Sequence, residues 1–390
     1  MEEELKLVCK GTMKTYCLIC LLVALSISAG CSNISEQSIK TIDTLETLEM
    51  EDSTESENVI SPSYTYLLNN DITLCVDPRV ELLYLASEYI NETPINDISK
   101  KSYVIDAWKV FDEKKEDDYF KLLIKLSNQG FKYGHLTQAI NLFDSNHNLR
   151  IDIDVSKYSM QQLSNLEIEE ELFRNMKKYR DNSTFDNFFT SYEIAYNEFI
   201  KLAEKRITRV NLIERVEDFF GMKVENTTIA LSPASFNGYS ATHDLLNDNL
   251  TTLITLPIID NDIEFIYVLA HELAHRFVDM ETKLYLTEVS KSEWKYAPFE
   301  STYYNSLYPS WELIYNEYVV RAFSCIIIGE IYGEGEMQKR IEREIVDDFT
   351  EIEMITELLK EYMENRTRYP TFSDYSEELI EQFSKEGSIK

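Results

Sequence analysis

From Pro78 onward apolar residues recur at helical spacing, as at Val80, Leu83, Leu85, Tyr89 and Ile90, and again through Tyr119–Leu126 and Ala139–Phe143. Residues 160 to about 220 continue the pattern with strongly charged outer faces, so the first half of the body reads as packed helices. Near residue 226 the texture changes. Thr227–Leu231 and Thr251–Leu256 are short β-branched runs separated by turn-forming Asn, Asp and Gly, which predicts strands of a small sheet. Asp260, Asn261 and Asp262 then offer helix-capping side chains before Ile263, Phe265, Ile266, Leu269, Leu273 and Phe277, an amphipathic helix. A second, densely apolar helical stretch covers Trp311–Ile328, and beyond Gly335 a charged pattern predicts one long helix closed by Tyr369 and Pro370. The expected fold class is α+β, predominantly α-helical, with a small β-sheet preceding the helix that begins near Asp262.

Ahead of this body lies an apolar run, Tyr16–Ala29, too short to span a bilayer and followed by small residues. It reads as a signal peptide within residues 1–30, with translation starting at Met13, where Lys14 supplies a basic flank that Glu2, Glu3 and Glu4 deny to Met1. Ser28, Ala29, Gly30 and Cys31 resemble a bacterial lipobox, although Ser28 stands where Leu is usual. The resemblance implies lipidation at Cys31 and a membrane anchor without a spanning helix. Residues 31–60 are rich in Ser, Thr, Glu and Asp and read as a disordered acidic tether. The rest divides into a helical region, 61–220, and a region, 221–390, that opens with the expected strands.

The chain has 390 residues, and 38 Lys+Arg against 69 Asp+Glu gives a net charge of −31, which excludes a nucleic-acid partner. With 44% hydrophobic residues it can bury a core. No Gly-rich phosphate loop occurs, so nucleotide-binding folds of that kind drop out. Four of the six Cys precede residue 32; Cys75 and Cys325 read as buried free thiols, with a single bridge between them as the alternative.

The helix after the sheet contains His271-Glu272-Leu273-Ala274-His275, an HExxH motif. Imidazoles four residues apart share one helical face and reach one zinc ion, while Glu272 projects toward a water there as general base for amide hydrolysis. With five His in 390 residues, chance would give this motif about 0.006 times per chain. A catalytic zinc takes three protein ligands. Glu317, Glu312 and Asp279 are the candidates for the third. Glu317 sits in the densest apolar stretch, where a metal would compensate an otherwise costly burial, with Arg321 as its ion-pair alternative. Glu312 fits a favourable first-turn charge, and Asp279 would place three ligands nearly in line on one helix, so it reads better as a partner of a ligand.

On the HELAH and NEYVVRA segments the chain resembles zinc metallopeptidases of the gluzincin type, and an uncharacterised family of bacterial extracellular proteins with a helical first half (here Gly130-Phe131-Lys132-Tyr133), an HExxH helix and a later E-x-x-x-R-A segment, over about residues 75–380. The resemblance implies a zincin-like catalytic core with His271, His275 and Glu317 as zinc ligands and Glu272 as general base. Two departures stand out: 42 residues separate His275 from Glu317, and Val320 occupies the Asp position of an Asn-Glu-x-x-Asp pattern. Aromatics between 281 and 310, among them Trp294, Tyr303, Tyr304 and Tyr308, can wall a cleft, and His243 is a weaker candidate for polarising a carbonyl. The expected function is a zinc-dependent peptidase at the bacterial cell envelope acting on peptide or protein substrates. The alternative is a non-catalytic envelope lipoprotein that binds a peptide, a glycan or metal.

Overall fold

In the computed structural model, residues 64–385 are described except 92–100, 130–135, 138, 152, 154–159, 236–238, 247–248, 297–307 and 309. The expected signal peptide, Cys31 and the expected tether lie outside the described residues. A mixed sheet is built from β1 (Tyr64–Leu67), β2 (Ile72–Val76), β3 (Thr227–Ser232), β4 (Ser240–Leu246) and β5 (Asn249–Pro257), in the order β1-β2-β3-β5-β4. The two outer pairings, β1 with β2 and β4 with β5, are antiparallel; β2, β3 and β5 run parallel. Everything else regular is helical, which makes the fold α+β and mostly α.

The two strands at 64–76 and the strand at 240–246 add to the pair expected from the β-branched runs. Because Ile72 pairs with Thr227 and Cys75 with Ala230, the regions 61–220 and 221–390 contribute to one sheet, and the described residues form a single compact unit. β2 leads directly into α1 (Pro78–Ile90), whose start is set by Asp77 capping the Arg79 amide at 2.8 Å and by Pro78 in the first turn. On the same side of the sequence follow α2 (Lys101–Glu113), α3 (Asp118–Asn128), α4 (Met160–Asn182), α5 (Phe185–Ser191), α6 (Glu193–Arg209) and α7 (Leu212–Phe220).

Helices cover both sheet faces. On β5, Thr252 and Thr255 differ by an odd number of residues and so point to opposite faces. Thr255 Oγ1 lies 3.3 Å from the Tyr84 hydroxyl of α1, whereas Thr252 Oγ1 accepts from Arg276 at 2.8 Å on α8 (Asp262–Leu284). Asn261 caps α8 by accepting from the Glu264 amide at 2.9 Å, as its position before the apolar periodicity predicts.

After α9 (Leu286–Val289) and a 3-10 turn (Ser290–Tyr296), α10 (Trp311–Tyr332) runs through the core, with every residue from Ile314 to Ile328 buried. A helix apolar on all sides belongs in such a place, and its Asn316, Glu317 and Arg321 must therefore find partners. The single long helix expected beyond Gly335 is two: α11 (Glu334–Val346) and α12 (Ile352–Glu364). Asp348 turns left-handed there (φ 70°), and the Phe349 amide donates back to the Glu344 carbonyl at 2.9 Å, carrying Phe349 into the core. The final helix is α13 (Phe372–Ser384), opened by a Thr371–Asp374 capping box. Cys75 and Cys325 are buried free thiols, as the first reading of the sequence has it, and burial pushes both thiols up. Among the described residues no helix is long and apolar enough to cross a membrane.

Candidate metal centre

Helices α8 and α10 pack against each other, and their contact carries the chemistry. His271 and His275, one turn apart on α8, bring their Nε2 atoms to 3.2 Å from each other. From α10, Glu317 places Oε1 3.4 Å from His275 Nε2 and Oε2 3.7 Å from His271 Nε2. These three residues form a set whose donor atoms are close enough together to hold a metal ion. Glu272 lies beside them, its Oε1 3.7 Å from His271 Nε2, and is 2% exposed.

Of the three acidic candidates, Glu317 faces the imidazoles. Glu312 stays in the first turn of α10, half-buried. Asp279 meets the far side of His275: its Oδ1 stands 3.0 Å from Nδ1 and also accepts from Asn316 Nδ2 at 2.9 Å. Asn316 is a site residue the HExxH spacing does not point to, although an amide beside a candidate ligand in an apolar stretch is a readable sign. A further partner had no signal in sequence. Arg321 donates from Nε to Glu317 Oε2 at 2.8 Å, as its position one turn on suggests, and from NH1 to Glu344 Oε2 of α11 at 2.5 Å; the Tyr267 hydroxyl donates to the other Glu344 oxygen at 2.6 Å.

Charge in this region is unbalanced toward acid. Glu272, Glu317 and Glu344 lie around one guanidinium, Arg321, all four at most 8% exposed, and Asp279 adds a further carboxylate behind His275. Burial pushes the Glu272 carboxyl up to about 8 and depresses His271 to about 3. Burial would also raise Glu317, but Arg321 and the two histidines outweigh it and hold that carboxyl well below its usual range. For His275 burial opposes protonation, yet Asp279 and Glu317 prevail and raise the imidazole well above its ordinary value. Two imidazoles and a carboxylate at these distances need a positive charge among them, and either a proton on His275 or a metal ion supplies it. The donor set therefore fits a divalent cation.

The Tyr239 ring stands edge-on to His271, with centroids 6.2 Å apart, and precedes β4. His243 of β4 bonds Thr252 at 3.1 Å on the face turned toward α8. Trp294 is 53% exposed, and the Tyr308 hydroxyl is 3.5 Å from Arg321 NH2; Tyr303 and Tyr304 lie outside the described residues.

A family model described as Domain of unknown function (DUF4932) matches residues 72–382. The chain belongs to this family. The DUF4932 match contains the whole sheet from β2 onward and every residue of the centre just described. Over 207 residues, 51% of this chain and 67% of the relative, the chain is 22% identical to Protein GlcT of Staphylococcus saprophyticus. No solved structure matches it.

Proposed function

We propose that this member of the DUF4932 family is a zinc-dependent metallopeptidase of the cell envelope. One observation carries the reading. Ligand atoms held tetrahedrally about 2.0–2.1 Å from one zinc stand roughly 3.3 Å from each other; the His271 and His275 Nε2 atoms are 3.2 Å apart and Glu317 Oε1 is 3.4 Å from His275 Nε2, with one donor atom of each residue within 4.8 Å of the other two. Two imidazoles and one carboxylate also match the ligand types of hydrolytic zinc sites that keep a position open.

Zinc in that setting polarises a carbonyl and acidifies a water. Glu272, buried and adjacent, would take the proton from the attacking water and deliver it to the leaving amine. β4 is the terminal strand of the sheet, and its face toward α8 is fixed by the His243–Thr252–Arg276 contacts. An extended peptide adding to its outer edge would lie alongside the HExxH helix. The charge of −31 favours neutral or basic peptides and disfavours nucleic acid. Attachment to the membrane through lipid on Cys31 is part of the proposal, and fractionation of Cys31→Ala against the wild type tests it: equal recovery in membranes counts against the anchor.

The central experiment is a peptide-library digest with the purified chain, with and without a chelator, beside Glu272→Gln. Chelator-sensitive cleavage that Glu272→Gln abolishes while still binding zinc is the expected result. Bound zinc with no hydrolysis of any peptide would instead favour a metal-holding binding protein.

A further inference from the structure

Glu317 is gripped from behind. Its Oε2 accepts from Arg321 Nε at 2.8 Å, which leaves Oε1 turned to His275. Arg321 in turn is held by Glu344 Oε2, and the Phe349 ring lies under its guanidinium at 4.2 Å. The second Glu344 oxygen accepts from Tyr267, which sits four residues before His271 on α8 and so on the same helical face. His271, Glu317, Arg321, Glu344 and Tyr267 thereby close a ring through three helices, and every member is buried. None of the outer three touches the imidazoles of the cluster by any contact described.

This ring is more than packing, because its charges alternate. Without Glu344, Arg321 would have Glu317 as its one close carboxylate, and would be free to pair with both of its oxygens and to repel a divalent ion beside it. With Glu344 in place, Arg321 orients one carboxylate oxygen and has its charge offset from the opposite side. Tyr267 locks Glu344 in turn to the helix that supplies both histidines, so the spacing between α8 and α10 and the direction of Glu317 are set together.

We propose that Glu344 is a positioning residue that, through Arg321 and with Tyr267, sets the affinity of the His271–His275–Glu317 cluster for its metal ion. The inference rests on the metal site put forward above and concerns affinity rather than hydrolysis.

The test is zinc binding by the full chain, read by competition with a chromophoric chelator. Glu344→Gln should weaken binding by about 10- to 100-fold, and Tyr267→Phe by a smaller factor. Glu342→Gln, an exposed change on the same helix, should leave it unaltered. Melting curves recorded in chelator separate this role from a merely structural one: the affinity loss should persist where the melting temperature does not move, and Glu344→Asp should recover part of it. Wild-type affinity in Glu344→Gln would overturn the proposal. If that variant does not fold, Tyr267→Phe decides, and affinity within about twofold of wild type overturns it. A wild type that binds no zinc sinks this inference and the peptidase together, whereas one that binds zinc but cleaves nothing sinks the peptidase alone.

Discussion

His275 and Asp279 face each other across one turn of α8, Nδ1 to Oδ1 at 3.0 Å. The contact fixes the ring: Nδ1–H donates to the carboxylate, which leaves Nε2 to face His271 and Glu317. Asn316 steadies the same oxygen from α10.

Loss of that contact should loosen the metal without removing a ligand. Asp279→Ala is expected to lower zinc affinity by about 10- to 100-fold, with most secondary structure retained. Calorimetric titration and circular dichroism on the same sample check it, and unaltered affinity would reduce Asp279 to a surface charge.

Between the two glutamates of α10 the expected outcomes diverge sharply. Glu317→Ala should abolish tight zinc binding, and because it removes one of the two carboxylates that hold buried Arg321 it should also cost about 1–3 kcal/mol of stability. Glu312→Ala should change stability by no more than about 0.5 kcal/mol and leave zinc bound. Retained zinc in Glu317→Ala with loss in Glu312→Ala would reverse the ligand assignment.

Chelation should destabilise the chain. A ligand present at 100 times its dissociation constant stabilises the state it binds by about 2.7 kcal/mol, so stripping zinc should lower the melting temperature by several degrees, reversibly on adding zinc back. An identical melting curve with and without chelator is the contrary result.

Acid sensitivity should arise partly far from the cleft. His147 is buried beside Arg180, and burial, then the nearby guanidinium, depresses its imidazole to about 3. Its folded value lies below the unfolded value of about 6.5, so the unfolded chain binds the extra proton as pH falls below that point. Stability contributed by neutral His147 is then lost at up to about 1.4 kcal/mol per pH unit between roughly pH 6.5 and 3. Asn tolerates the left-handed backbone found at this position (φ 64°), so His147→Asn should flatten that part of the profile in urea melts collected at pH 7 and pH 5. Parallel profiles for the two proteins would rule the contribution out.

The cap at Asn261, the apolar stripe of α8 and the HExxH spacing are local features, and all were readable because a helix places residues four apart on one face. Glu317 was readable for a different reason: a carboxylate inside an apolar run has to be paired. What escaped was non-local. β1 and β2 are four and five residues long, and ITLCV runs straight into a helix cap with no turn to mark it. β4 carries Ser, His and Asp among its seven residues, a composition that reads as loop. Glu344 looks like one more charge on an acidic helix until Phe349 folds back and shows which side of α11 faces inward.

The parallel partnership of β2 with β3 joins Ile72 to Thr227, 227 − 72 = 155 positions along the chain. Closing so large a loop costs entropy before any ladder bond forms, and parallel pairing of distant strands is intrinsically slow. The centre of the sheet consequently waits for the last strand to emerge, at Pro257, immediately ahead of the helix that bears both histidines. Assembly of the metal-ligand cluster and completion of the fold are thus one late event, and a chain ending short of Thr227 would present β2 with an unsatisfied edge and no site at all.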